Sequence, residues 1–158
     1  MPFYYPNWIN DFWRIMGILF FGDREHFCVP GEKRFDEAAI REFCTREGLA
    51  FYDTACEVRR LRDSASDAFL EVVTPTDIAA LLRRIPECRA IVTTGEKASG
   101  LIAEWLSCDV PAVGSFIDIP AATLPDRALP LRFWRMPSTS RAYPLPLEKK
   151  AEEYRKLF

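Results

Sequence analysis

Four adjacent residues near the carboxyl end, Ser138, Thr139, Ser140 and Arg141, place three hydroxyls and a guanidinium in the loop MPSTSRAY. Hydroxyl and Arg donors are the groups that commonly bind phosphate oxygens, so the run reads as a grip for a nucleotide or a nucleic-acid backbone. Tyr143 either adds a stacking ring or closes the loop. The alternative for the hydroxyls is capping of the next helix, but Pro144 and Pro146 push that helix beyond the reach of Ser138 and Thr139. Gly95 and Lys97 form a second candidate anion site, at a helix start with free N–H groups and a positive dipole end. A plain strand-to-helix turn with an exposed Lys accounts for the same two residues.

Asp53 ends a β-favouring run, where an Asp commonly satisfies a nearby turn. Asn10 precedes an apolar helix and is well suited to cap it, and Asn7 suits a cap or an Asx turn. Trp13, Phe20, Phe21, Phe43 and Trp105 read as core, and His26 as a solvated loop residue. The five cysteines (Cys28, Cys44, Cys56, Cys88, Cys108) form no C-x-x-C pair and His26 is the one histidine, so the expectation is reduced thiols, no metal site and a cytoplasmic location.

These residues must be positioned by elements that the sequence pattern also suggests. The spacing predicts a buried helix over 12–21 (FWRIMGILFF) closed by Gly22 and Asp23, and a second over 36–46 closed by Gly48. A strand is expected over 49–58 and a polar connection over 59–66. Thr74, Pro75, Thr76 and Asp77 open a helix over 78–84 that Pro86 ends. Residues 90–94 (AIVTT) read as a strand, and Gly95 opens a helix over 97–106. Four prolines make 110–130 a loop excursion, with a weak strand signal at 113–119. Residues 131–136 (LRFWRM) read as a strand feeding the polar loop. The final helix lies within 144–158, with Leu147, Ala151, Tyr154 and Phe158 inward and its Glu and Lys outward. In open α/β sheets ligands sit beyond the carboxyl ends of strands, where this loop would lie.

The 158 residues, 49% hydrophobic and 28% charged, suit one globular domain spanning 1–158. A net charge of −2 excludes a whole-chain electrostatic case for nucleic acid. Residues 126–158, however, hold eight Lys or Arg against four acids. Residues 15–22 are apolar but far too short to span a bilayer, so no membrane role is expected. Helices alternating with strands argue for an α/β fold.

Four segments, YYPNWINDFWR, GLAFYDTACEVRR, VTTGEKAS and RMPSTSRAYPLPLEKKAEEYRKLF, occur in an order that resembles the uracil-DNA glycosylase superfamily, closest to its deoxyinosine (hypoxanthine) DNA glycosylases. Tyr4, Tyr5, Asn10, Phe12 and Trp13 fall on that branch's first motif, and Pro137, Ser138, Thr139 and Ser140 on its last. Trp8 stands where the branch usually has Pro, Asn7 where it commonly has His, and Arg141 where Pro is frequent.

The resemblance implies a three-layer α/β/α fold around a short, mainly parallel four-stranded sheet, whose first strand and loop would lie upstream of Met1. It also implies a monofunctional enzyme, without cofactor, that flips a uracil or hypoxanthine out of DNA and hydrolyses its bond to the sugar. Asn10 takes the catalytic position, Tyr5 stacks on the base, and Asn7 and Asp53 line the pocket. Gly95, Lys97, Ser138, Thr139, Ser140, Arg141 and Tyr143 hold the DNA. The expected partner is DNA carrying a damaged or deaminated base, bound by a monomer. Two other readings stand beside it: a catalytically inactive nucleic-acid-binding member of the same fold, and a mononucleotide-binding α/β domain, against which the lack of a G-x-G-x-x-G or Walker loop counts.

Overall fold

A computed structural model of the chain describes residues 3–60 and 70–158. The chain forms two compact units, one made of residues 1–51 and 137–158, the other of residues 52–136. The first is helical, and its two pieces come from opposite ends of the sequence.

Helix α1 (Phe12–Phe21) carries an apolar run, and Phe12, Trp13, Ile15 and Met16 are buried. It ends as its sequence indicates. Gly22 adopts φ 67°, and the Gly22 and Asp23 amides return to the carbonyls of Ile18 and Gly17. Asp36 caps α2 (Glu37–Glu47) by accepting from the Ala39 amide at 3.1 Å. The unit's core is aromatic: Trp13, Phe27, Phe43 and Phe51 meet edge-on along a chain of contacts, with Phe12 joined to Trp13 and Phe51. Helix α5 (Leu147–Tyr154) packs on α1, with Tyr154 edge-on to Phe12.

The second unit contains a hairpin of β1 (Ala55–Arg60) and β2 (Leu70–Pro75), then α3 (Ile78–Arg84), β3 (Ala90–Thr93), α4 (Glu96–Leu106), β4 (Ser115–Ile119) and β5 (Leu131–Arg135). The last three strands form a sheet in the order β3-β5-β4, with β3 parallel and β4 antiparallel to β5. One sheet face, with Leu131, Phe133 and Ile119, packs with Leu82 of α3 and Ile102 and Ala103 of α4 in a single apolar cluster. Burial of each large side chain there contributes about 1.5–3 kcal/mol. Thr93, at the end of β3, shares a buried 2.8 Å hydrogen bond with Ser99 of α4 and donates to the Trp134 carbonyl.

The α/β class expected from the sequence holds, but this sheet is three-stranded and mixed rather than four-stranded and mainly parallel, so the finer fold that the resemblance implies is not the one observed. The weak strand signal at 113–119 proves real. Pro111 and Pro120 flank the Ser115–Ile119 ladder instead of interrupting it, so neither removes an amide that the pairing needs. The strand expected over 49–58 starts only at Ala55 and pairs with β2 in the separate hairpin. Its first half is diverted because the Phe51 ring packs among Tyr4, Tyr5, Phe12 and Trp13. Of the polar connection expected over 59–66, residues 59 and 60 belong to β1 and the rest lie outside the described residues. The last helix opens at Leu147 and continues into a 3-10 turn, Arg155–Leu157. Among the described residues no helix is long and apolar enough to cross a membrane.

Gly17 stands in α1 because the returning chain leaves no room for a side chain: a Cβ there would lie 2.3 Å from the Asp23 carbonyl oxygen. Gly17→Ala forces this helix end to move and should lower stability by about 1–3 kcal/mol, read as a shifted urea midpoint at unchanged slope.

Candidate functional site

The first unit brings together two of the sequence motifs that lie far apart in the chain. Asn10 and Ser140 form an isolated antiparallel bridge. Its two hydrogen bonds run from the Asp11 amide to the Thr139 carbonyl (2.8 Å) and from the Arg141 amide to the Ile9 carbonyl (3.4 Å). Asn10 and Ser140 are therefore the directly opposed pair that makes no ladder bond itself, the arrangement that places two side chains closest, on one face.

The asparagine is anchored from several sides. Its amide donates to the Asn7 carbonyl at 2.9 Å, and its carbonyl accepts from Arg14 Nη1 at 3.3 Å. Arg14, 2% exposed, also donates to the Trp8 carbonyl at 3.0 Å and lies 4.1 Å from the Trp8 ring centre. The Asn10 side-chain oxygen accepts from the Phe12 amide at 2.9 Å, so the capping role expected of Asn at this position is occupied. Its side-chain nitrogen makes no hydrogen bond among the described residues. Asn7 is exposed and forms an Asx turn, accepting from the Ile9 amide at 3.1 Å.

Tyr5 sits beside this frame in a left-handed conformation, φ 55°, which non-glycine residues adopt at a cost. Its ring stacks on Phe12 at 4.6 Å and 16°. The preceding carbonyl, of Tyr4, accepts from Trp13 Nε1 at 3.0 Å, which ties the segment to α1.

The loop that follows β5 is organised from within the first unit. Tyr154, fully buried, donates from its hydroxyl to the Pro137 carbonyl at 2.8 Å. Thr139 is buried and gives its carbonyl to the bridge, so it belongs to the frame of the loop rather than to its surface. Ser140 and Arg141 are exposed, Ser138 and Tyr143 half-buried. Ser138 and Ser140 accept from the amides two residues on, Ser140 and Ala142, which fixes both hydroxyls.

Beneath the loop lies a charge cluster that the motif reading passed over. Asp11, 5% exposed, accepts from Lys150 Nζ on Oδ2 and from Arg141 Nε on Oδ1, each at 3.0 Å. Lys150 is 1% exposed and also donates to the Ser140 carbonyl at 2.8 Å. The outward position expected for the Lys residues of α5 is thus wrong for Lys150. The signal was present in its spacing: Lys150 is three residues after Leu147 and four before Tyr154, on the helix's apolar stripe. Arg14, inside the apolar α1 run, carried a similar signal.

The remaining candidates belong to the second unit. Asp53 is exposed, and its backbone carbonyl accepts from Thr76 Oγ1 at 2.6 Å. Gly95 is the N-cap of α4 and its carbonyl receives both the amide and the hydroxyl of Ser99. Lys97 is exposed, and Glu96 beside it puts a negative charge in the first turn, which works against an anion at this helix end. Among the described residues no cluster of three or more His, Cys, Asp or Glu is arranged to hold a metal. Cys28, Cys44, Cys88 and Cys108 are free thiols, and burial pushes that of Cys28 up to about 11, with Glu25 adding to the effect.

No protein-family model, curated protein or solved structure matches this chain.

Burial, reinforced by Tyr5, holds the Tyr154 phenol well above its usual 10.0. The unfolded chain then loses this proton first as pH rises, so the contribution present below about pH 10 is lost at higher pH. Tyr154→Phe leaves the buried Pro137 carbonyl without its donor, should cost about 1–3 kcal/mol near neutrality, and should flatten the alkaline fall in the urea midpoint.

Proposed function

We propose that the chain is a monofunctional DNA glycosylase that hydrolyses the bond between a deaminated base, uracil or hypoxanthine, and its deoxyribose. It acts as a cytoplasmic monomer in base excision repair and needs no cofactor. The observation that carries this reading is the Asn10–Ser140 bridge, which sets a residue of the first motif directly opposite one of the last. The reading rests on these motifs and not on the sheet, which is three-stranded and mixed where the resemblance implies four mainly parallel strands.

A base within a duplex is inaccessible, so the target nucleotide is extruded and stacked on a ring, a role for Tyr5. Asn7 is a candidate to line the base pocket. As the bond breaks, positive charge develops on the sugar and the base leaves with the electron pair. A water oxygen then bonds to the sugar carbon. The Asn10 carboxamide oxygen has two lone pairs; one receives the Phe12 amide, and the second can accept a hydrogen bond from that water, whose proton passes to the departing base anion. The Phe12 bond thereby fixes the group that orients the nucleophile, so little reorganisation remains for the reacting state. Ser138, Ser140 and Arg141 contact the flanking phosphates, with Tyr143 beside them and Thr139 as loop frame; Gly95 and Lys97, with Glu96 between them, are not assigned to the contact.

A second reading keeps the DNA contacts and drops the chemistry. It is favoured by the Asn10–Phe12 bond itself, which by local geometry is an ordinary turn closing onto a helix. The two readings separate on duplexes carrying uracil or hypoxanthine, with abasic sites counted after alkaline cleavage. Enzyme action predicts release of at least one base, and Asn10→Ala should slow single-turnover release by about 10²–10³-fold with DNA binding retained. Binding without release from either base would support the second reading.

A further inference from the structure

An Arg beside a carboxylate normally meets it as a fork, with two parallel N–H···O bonds. Arg141 does not. It donates through Nε to Asp11 Oδ1, while Oδ2 is taken by the fully buried Lys150. Nη1 and Nη2 of Arg141 make no hydrogen bond among the described residues, and the side chain is 43% exposed. Lys150 spends a further proton on the Ser140 carbonyl, inside the loop that carries Arg141. One buried carboxylate thus faces two cations, which leaves an uncompensated positive charge next to the Asn10–Ser140 bridge.

We propose that Asp11 and Lys150 are positioning residues: they hold the inner edge of Arg141 so that its two terminal nitrogens grip one backbone phosphate of DNA beside Asn10. The proposal rests on the DNA reading above but not on base release. Lys150 acts by denying Arg141 the second carboxylate oxygen. Without it, Arg141 closes onto Asp11 as a fork and withdraws a donor from the phosphate. Where the sequence pattern of the resembling branch frequently has Pro, this chain therefore carries a pre-aimed clamp.

Binding of the full chain to a short duplex, measured by fluorescence anisotropy from low to moderate salt, tests the clamp. Arg141→Ala should lower the slope of log K against log salt by about 0.9, the share of one phosphate contact. Lys150→Met should lower it as well, though loss of one partner of a buried pair also weakens folding. The double variant Asp11→Asn/Lys150→Met separates the effects, since removing both charges should recover most of the thermal midpoint lost by Lys150→Met. If the pair positions Arg141, its salt slope stays at the Arg141→Ala value. A double variant that regains the wild-type slope together with its melting point, or an Arg141→Ala slope unchanged from wild type, overturns the proposal. A wild-type chain without salt-dependent binding overturns the proposal and the DNA reading together. A full wild-type slope lost in these variants, with no base released, supports the clamp while removing the catalytic role of Asn10.

Discussion

The Asp11 carboxylate is the interaction on which the first unit depends. It joins Lys150 and Arg141, residues 139 and 130 positions away, at a site almost closed to water. Burying a carboxylate and an ammonium is costly, and the mutual attraction offsets that cost only when further hydrogen bonds complete the geometry. Here the Ser140 carbonyl supplies one, and the Asp11 amide is itself bonded to the Thr139 carbonyl. Backbone and side chain of one residue thus fix both the register of the Asn10–Ser140 bridge and the loop that extends it. An isolated bridge of two hydrogen bonds would have little persistence alone; this one is held by charges below it and by the buried Tyr154 hydroxyl behind it.

Local order was largely legible because it depends on short-range rules. Helices α1, α3 and α4 follow apolar spacing bounded by Asp, Gly or Pro, and β3 and β5 are compact runs of β-favouring residues. The sheet order was not legible, since a strand's direction is set by the route of the chain and not by its composition. The prolines around β4 look like strand breakers until the ladder shows that they lie just outside it. Phe51 illustrates the other failure. A ring in a β-favouring run suggests a strand, yet its best packing is against the aromatic side of α1, and its backbone follows.

The candidate site was legible in part for a related reason. Motifs name residues by type and spacing, and Asn10 and Ser140 were visible in that way. The residues that hold them, Asp11, Arg14 and Lys150, are charged, and charge in a sequence normally signals solvent. Only the place of Arg14 inside an apolar run and of Lys150 on an apolar stripe marks these two as buried. Tyr5 adds a physical indication of its own: a left-handed tyrosine stacked flat on Phe12 is a strained conformation that the surrounding packing must maintain.

The central claim is that Asn10 and the Ser138–Arg141 loop form a single surface for one flipped nucleotide. Amide nitrogen–proton spectra of the chain, titrated with a duplex carrying a 2′-fluorinated deoxyuridine that resists hydrolysis, test it most directly. The account predicts that the Asn10 side-chain amide and the backbone amides of Ser138, Ser140 and Arg141 shift together, with one affinity. Shifts confined to the loop with Asn10 unmoved, or no shifts in either, would contradict it.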